Sequence, residues 1–152
     1  MQENCDILLS ELNDQIRNAI KSGTHTTDYP QAVQFVLLAD LFNYHVVQGG
    51  FAQLIYNLQG AYLAEIEAML LAADATTAHL YYVQSIEKCL EEDAHYQQFL
   101  ESPYTDEHTL KNELHVISIA YFKTGKSFIA EICPFISSSA AAVNGWLAND
   151  IN

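Results

Sequence analysis

Gln31 to Val47 is apolar on nearly every side of a helix, and no other stretch constrains the fold as much. Val33, Phe35, Val36, Leu37, Leu38, Leu41, Phe42, Val46 and Val47 leave only a thin polar strip of Gln34, Asn43 and Tyr44. A helix without a wet face has to be surrounded by other elements. Gln48-Gly49-Gly50-Phe51 then breaks it, because paired glycines permit positive φ and close backbone approach. Phe51 to Leu58 reads as a short helix, with Phe51, Leu54, Ile55 and Leu58 at core spacing. Gln53 and Asn57, four apart, are expected to satisfy backbone groups that the corner exposes, in preference to a catalytic role.

The remaining segments supply the surroundings. Residues 3–22 form an amphipathic pattern with Leu8, Leu12, Ile16 and Ile20 on one stripe and Gly23 as a stop. Thr27 or Asp28 is placed to cap the central helix, with Pro30 in its first turn. About Tyr62 to Ala73, a helix turns Leu63, Ile66, Met69 and Leu70 inward and Glu65 and Glu67 outward. Asp74 or Thr76 opens a long helix to about Leu100, whose stripe is His79, Val83, Ile86 and Leu90. Ser102-Pro103-Tyr104 ends it. Thr105 opens the next, with Leu110, Leu114, Ile117 and Tyr121 inward and Thr124-Gly125 at its end. Phe128, Ile129 and Ile132 predict a short helix stopped by Pro134. Ser137-Ser138-Ser139 can cap a last one through Ala140–Leu147, anchored by Trp146. No run alternates with period two for long, and there is no linker or repeat. The expectation is an all-α, single compact multi-helix domain over 1–152, with about six to eight helices.

A chain of 152 residues can bury a sizeable core without staples. Cys5, Cys89 and Cys133 are widely spaced and form no Cys-x-x-Cys, which predicts free thiols in a reducing compartment. The acidic start lacks the basic region of a signal peptide, and no apolar run is expected to approach the roughly 18 residues that span a bilayer. A cytoplasmic address follows as the expectation.

No known chemistry finds the residue spacing that it needs. Glu92-x-x-His95 is a lone Glu-x-x-His, whereas a di-iron carboxylate bundle needs two, plus further inward glutamates. His108 and His115 are two turns apart, too far to share a metal unaided, and read as adventitious surface histidines. His79 lies on an apolar stripe and reads as a satisfied core residue. His45 has no Ser or Cys beside it in a nucleophile motif. The chain is therefore expected to be no enzyme, with no cofactor and no metal.

Charge is the extreme property. Nineteen acids against six bases give a net charge of −13, which disfavours nucleic acid or anionic membrane as a direct ligand and favours a basic protein partner. Glu87, Glu91, Glu92 and Asp93, followed by Glu101, Asp106 and Glu107, form the densest acidic stretch. On one continuous helix, Glu87 to Asp93 would span about 9 Å at about 1.5 Å per residue. With four acids and one base in that span, a net charge would fall about every 3 Å, close to the one per about 3.4 Å along a DNA strand. A merely solvated face is the bland alternative.

Around the corner, Gln48-Gly49-Gly50-Phe51-x-Gln53-x-x-x-Asn57, with Phe42 before it and Gly60 after it, resembles the core motif of a bacterial domain-of-unknown-function family that includes a DNA-mimic protein. That family typically shows Asn-Gly-Gly-Phe-x-Gln-(Phe/Tyr)-x-x-Asn. Gly49, Gly50, Phe51, Gln53 and Asn57 correspond directly. Gln48 replaces the usual Asn, His45 stands where an acid is common, Leu54 takes an aromatic position, and Ala73-Asp74 lacks a usual Gly. The resemblance covers a core of about 31–100, leaving a C-terminal helical extension of about 105–152. It implies an all-helical fold, a structural role for the motif and, for the DNA-mimic member, an acidic surface that occupies a regulator's DNA-binding face. Two non-enzymatic readings follow. One is an inhibitor that blocks a basic, nucleic-acid-binding protein. The other is an immunity protein that neutralises a toxin with a basic cleft. Either fits a monomer or homodimer.

Overall fold

The apolar stretch lies at the centre of the molecule. In a computed structural model that describes residues 2–23 and 29–149 (backbone only for 2 and 3), α2 runs Gln31–Leu58. It buries Val33, Phe35, Val36, Ala39, Phe42 and Val46 before the corner and Phe51, Ala52, Leu54 and Ile55 after it. Gly50 has φ 72° and ψ −167°, so α2 is two helical halves joined at a kink. Its neighbours are α1 (Gln2–Lys21), α3 (Leu63–Ala72), α6 (Thr109–Lys123) and α7 (Phe128–Ala148). Between α3 and α6 lie α4 (Thr76–Glu91) and α5 (Asp93–Glu101). No strand occurs among the described residues. The fold is all-α and forms one domain around one core.

The periodic stripes match the buried faces of α3 and α6 at most positions and those of α1 and α4 only in part. On α1 the buried positions are Cys5, Leu9, Leu12, Asn13 and Ile16, while Leu8 and Ile20 are half-buried. Asn13 crosses the α1–α2 contact, donating to Leu9 O at 3.1 Å and Val36 O at 3.3 Å. Pro30 immediately precedes α2 instead of sitting in its first turn. The expected caps Thr27 and Asp28 lie outside the described residues.

The long helix expected to reach Leu100 is two helices. Glu92 is extended (φ −146°, ψ 99°) and separates α4 from α5. The core face of α4 is Ala78, Tyr82, Ser85 and Cys89; His79, Val83 and Ile86 are only half-buried, and Leu90 is 72% exposed. Tyr82 decides this rotation. Its ring packs 6.2 Å from Phe42, and its hydroxyl donates to Leu63 O at 2.6 Å, so a large aromatic is buried with its polar end paired.

The start of α4 is capped from a distance. Neither Asp74 nor Thr76 supplies a side-chain cap. Instead Glu131 of α7 accepts from Thr77 N at 2.8 Å and Ala78 N at 3.1 Å. A carboxylate there meets both the orphan amides and the positive end of the helix dipole.

Helix α6 opens at Thr109, not Thr105, and His108 caps it, its Nδ1 accepting from Leu110 N at 3.1 Å. Lys111 holds the preceding loop by donating to Tyr104 O at 2.6 Å and Asp106 O at 2.5 Å. Pro134 does not stop α7, which runs continuously to Ala148. The proline deprives the Ala130 carbonyl of a donor. Both residues are exposed, so water can serve that carbonyl, while buried Ile129, Ile132 and Ile136 hold the turns on either side. Trp146 stacks edge-on against Tyr29 with ring centroids 5.8 Å apart. By length and composition α7 could also cross a membrane, because Ser137–Ser139 interrupt its apolar run without making it polar overall; here it packs against α1 and α2.

That packing overturns one expectation outright. Cys5 and Cys133 form a disulfide between α1 and α7, with Cα atoms 5.6 Å apart, and Cys89 is the free cysteine. Wide sequence spacing said nothing about two helices that lie side by side. Burial pushes the Cys89 thiol up to about 12, which makes it a poor nucleophile. The disulfide closes nearly the whole chain into a loop, so the double variant C5S/C133S should lose roughly 2–4 kcal/mol. Urea unfolding of oxidised wild type against the variant measures this. Equal midpoints would show that the bond adds nothing to stability.

Candidate partner-binding face

The glycine corner is a packing device, and the residue that completes it is on another helix. A Cβ on Gly50 would lie 2.4 Å from Ser118 Oγ and 2.7 Å from Ser118 Cβ. With no side chain there, α2 and α6 approach until Phe51 N donates to Ser118 Oγ at 2.9 Å, while that hydroxyl donates to Leu114 O at 3.0 Å. Ser118 thus caps the second half of α2 from outside. Phe51 is fully buried, with its ring 6.2 Å from Phe42 and 5.7 Å from Tyr121.

The two amides do not do what was expected of them. Gln53 lies over Gly49 and contacts His45 Nδ1 through Nε2 at 3.2 Å. Burial lowers the His45 pKa below the ordinary histidine value, which favours the neutral ring that can take part in that bond. Asn57 is exposed and donates to Gln53 O one turn back at 2.7 Å. An exposed amide on its own helix strands nothing when removed, so Asn57→Ala should change stability by under about 0.5 kcal/mol. A urea midpoint shifted by more than that would assign Asn57 a role beyond this bond. Ser118 and Glu131 were invisible to motif reading. A small polar residue on the buried line Leu114–Ser118–Tyr121, facing a Gly-Gly corner, is the signal that could have found the first.

The acidic residues occupy a different part of the surface. Glu87 and Glu91 lie one turn apart on α4; Glu92 is the break; Asp93 opens α5 and Glu101 ends it; Asp106 and Glu107 lie in the loop before α6. All seven are exposed. The break at Glu92 bends the row, so helical spacing applies only from Glu87 to Glu91, about 6 Å at the usual rise. Lys88 pairs with Glu91 at 3.2 Å and with Glu113 of α6 at 3.5 Å, and its pKa is raised by both partners, Glu91 first. Glu92 contacts His95 Nδ1 at 3.2 Å. Among the described residues Glu87, Asp93, Glu101, Asp106 and Glu107 have no ion-pair partner.

The histidines divide by role. His95 and His108 approach with ring centroids 6.3 Å apart beside this face, and His108 is a helix cap, not an adventitious surface residue. His79 is half-buried, with Nε2 3.0 Å from Glu67 Oε2. Burial and the nearby Lys111 lower the His115 pKa. No group of three or more His, Cys, Asp or Glu is placed to hold a metal ion among the described residues.

No curated protein and no solved structure gives a significant match to this chain. The family model described as DMP19-like protein matches residues 27–133. That span extends past the 31–100 stretch carrying the sequence resemblance and takes in the glycine corner, Ser118 and all seven acids. The chain belongs to the DMP19-like protein family.

Proposed function

We propose that this protein is a non-enzymatic acidic inhibitor: it binds a basic, nucleic-acid-binding protein and covers the surface that would otherwise hold phosphates. The observation that carries this reading is the exposed run Glu87, Glu91, Glu92, Asp93, Glu101, Asp106 and Glu107, in a chain of net charge −13 whose family match includes it. Where these acids sit adds support. Glu91 is the last residue of α4 and Glu101 the last of α5, at the negative ends of their helix dipoles. An acid there costs stability, about 0.3–1 kcal/mol each. Lys88 offsets the first; nothing among the described residues offsets the second. Carboxylates held against the local field are ready to gain from a cationic partner. Proximity of Lys/Arg on that partner would relieve that cost and release the counterions around these carboxylates, as it does those of phosphate when the partner binds nucleic acid.

Nucleic acid and this protein then compete for one surface. The immobilised chain should retain, from an extract of its native cells, a protein that double-stranded DNA or RNA elutes in a concentration-dependent way. A retained partner that binds nucleic acid and this protein simultaneously would contradict the proposal.

A further inference from the structure

A second feature, far from the acidic run in sequence, gathers cations instead of acids. It is a groove of about 710 Å³ walled by α1, α2 and the start of α3. Its α2 wall is three leucines, Leu37, Leu38 and Leu41, and its α1 wall carries Arg17 and Lys21 one turn apart. Only six lysines and arginines exist in the whole chain, and two of them line this groove. Small-molecule sites have this volume and composition: apolar walls with a few polar groups that fix orientation.

Two independent observations mark it as more than a gap. Arg17 is 61% exposed, and among the described residues its one ion pair, to Asp40, is 3.8 Å long, too long for a bidentate pair. Burial holds the Asp40 carboxyl above its usual range, and Arg17 reverses this only in part. The guanidinium therefore keeps donors for another anion. Tyr62 is the second. It has φ 62° and ψ 14°, left-handed backbone that a bulky residue adopts only under strain, and it holds its ring, 59% exposed, at the edge of the groove. Glu65 is the one acid among the lining residues and sits on the α3 side.

We propose that this groove binds a small anionic amphiphile, a molecule with an apolar chain and a carboxylate or similar head. The leucines and Tyr62 cover the chain, and Arg17 and Lys21 hold the head. Charge complementarity sets the choice: an uncharged apolar ligand makes no use of the two cations, and a cationic one meets them unfavourably. This site is separate from the acidic face and does not depend on how that face acts.

Titration with 11-(dansylamino)undecanoate tests it by fluorescence. Wild type should show saturable binding, at least tenfold tighter than R17Q/K21Q, whose fold is verified by its far-UV spectrum. The primary amide of the same probe should bind wild type at least tenfold more weakly than the acid, a comparison that needs no variant. Absence of saturable binding by wild type, or equal affinity for the acid and its amide, would overturn the proposal.

Discussion

Gly50→Val should destabilise this protein by more than about 4 kcal/mol, a large fraction of the usual margin of about 5–15 kcal/mol. Three costs coincide at one atom. The backbone at φ 72° and ψ −167° lies in a region that is essentially open only to glycine. A Cβ would overlap Ser118 at 2.4 Å, against a buried side chain whose hydroxyl is engaged at both ends. Moving Ser118 aside strands the Phe51 amide, itself a loss of about 1–3 kcal/mol when buried. At Gly49, by contrast, the backbone is helical and the nearest obstacle is the Gln53 side chain. Urea unfolding of Gly50→Val against wild type measures the effect. A loss under about 1 kcal/mol would show that the corner relaxes and that Gly50 does not set the α2–α6 approach.

How much of this was legible in the sequence depended on whether the deciding partner was local. The buried centre at Gln31–Val47, the break at Gly49-Gly50, the stops at Gly23 and Thr124-Gly125 and the α6 core line all follow from residues within a turn or two of one another. They are where expected, except that the stretch is not covered all round: Val47 is exposed and Leu37, Leu38 and Leu41 are half-buried along a groove. Errors came where a distant element decided. Tyr82 rotated α4 because Leu63 O and Phe42 were available to it. Glu131 capped α4 from across the fold, α7 ran through Pro134 because its buried isoleucines held it, and Cys5 met Cys133 because α1 and α7 pack together. In the acidic run, exposure was legible but shape was not. Nothing local in Glu91-Glu92-Asp93 announces the extended residue that bends the row. The amides of the motif failed for the opposite reason: Gln53 and Asn57 found partners on their own helix, leaving the corner to Ser118.

Reversing charge on the acidic face is the second large effect. Glu87, Glu91 and Glu92 are exposed, so changing all three to Lys should leave the fold intact at about 0.5 kcal/mol or less per site. Lys88 keeps Glu113 as a partner in that variant. Binding responds differently, because each lysine replaces an attraction to the partner's cations with a repulsion, and like charges placed together across an interface cost several kcal/mol. A loss of at least a hundredfold in affinity is expected. Wild-type binding should also weaken steeply with salt, since screening confines each exposed charge to about 8 Å at physiological ionic strength. The direct test is titration of the nucleic-acid-elutable partner with wild type and with the Glu87/Glu91/Glu92→Lys variant across a salt series. The predicted result is steep salt dependence for wild type and no measurable binding by the variant; equal affinities, unchanged by salt, would contradict the account.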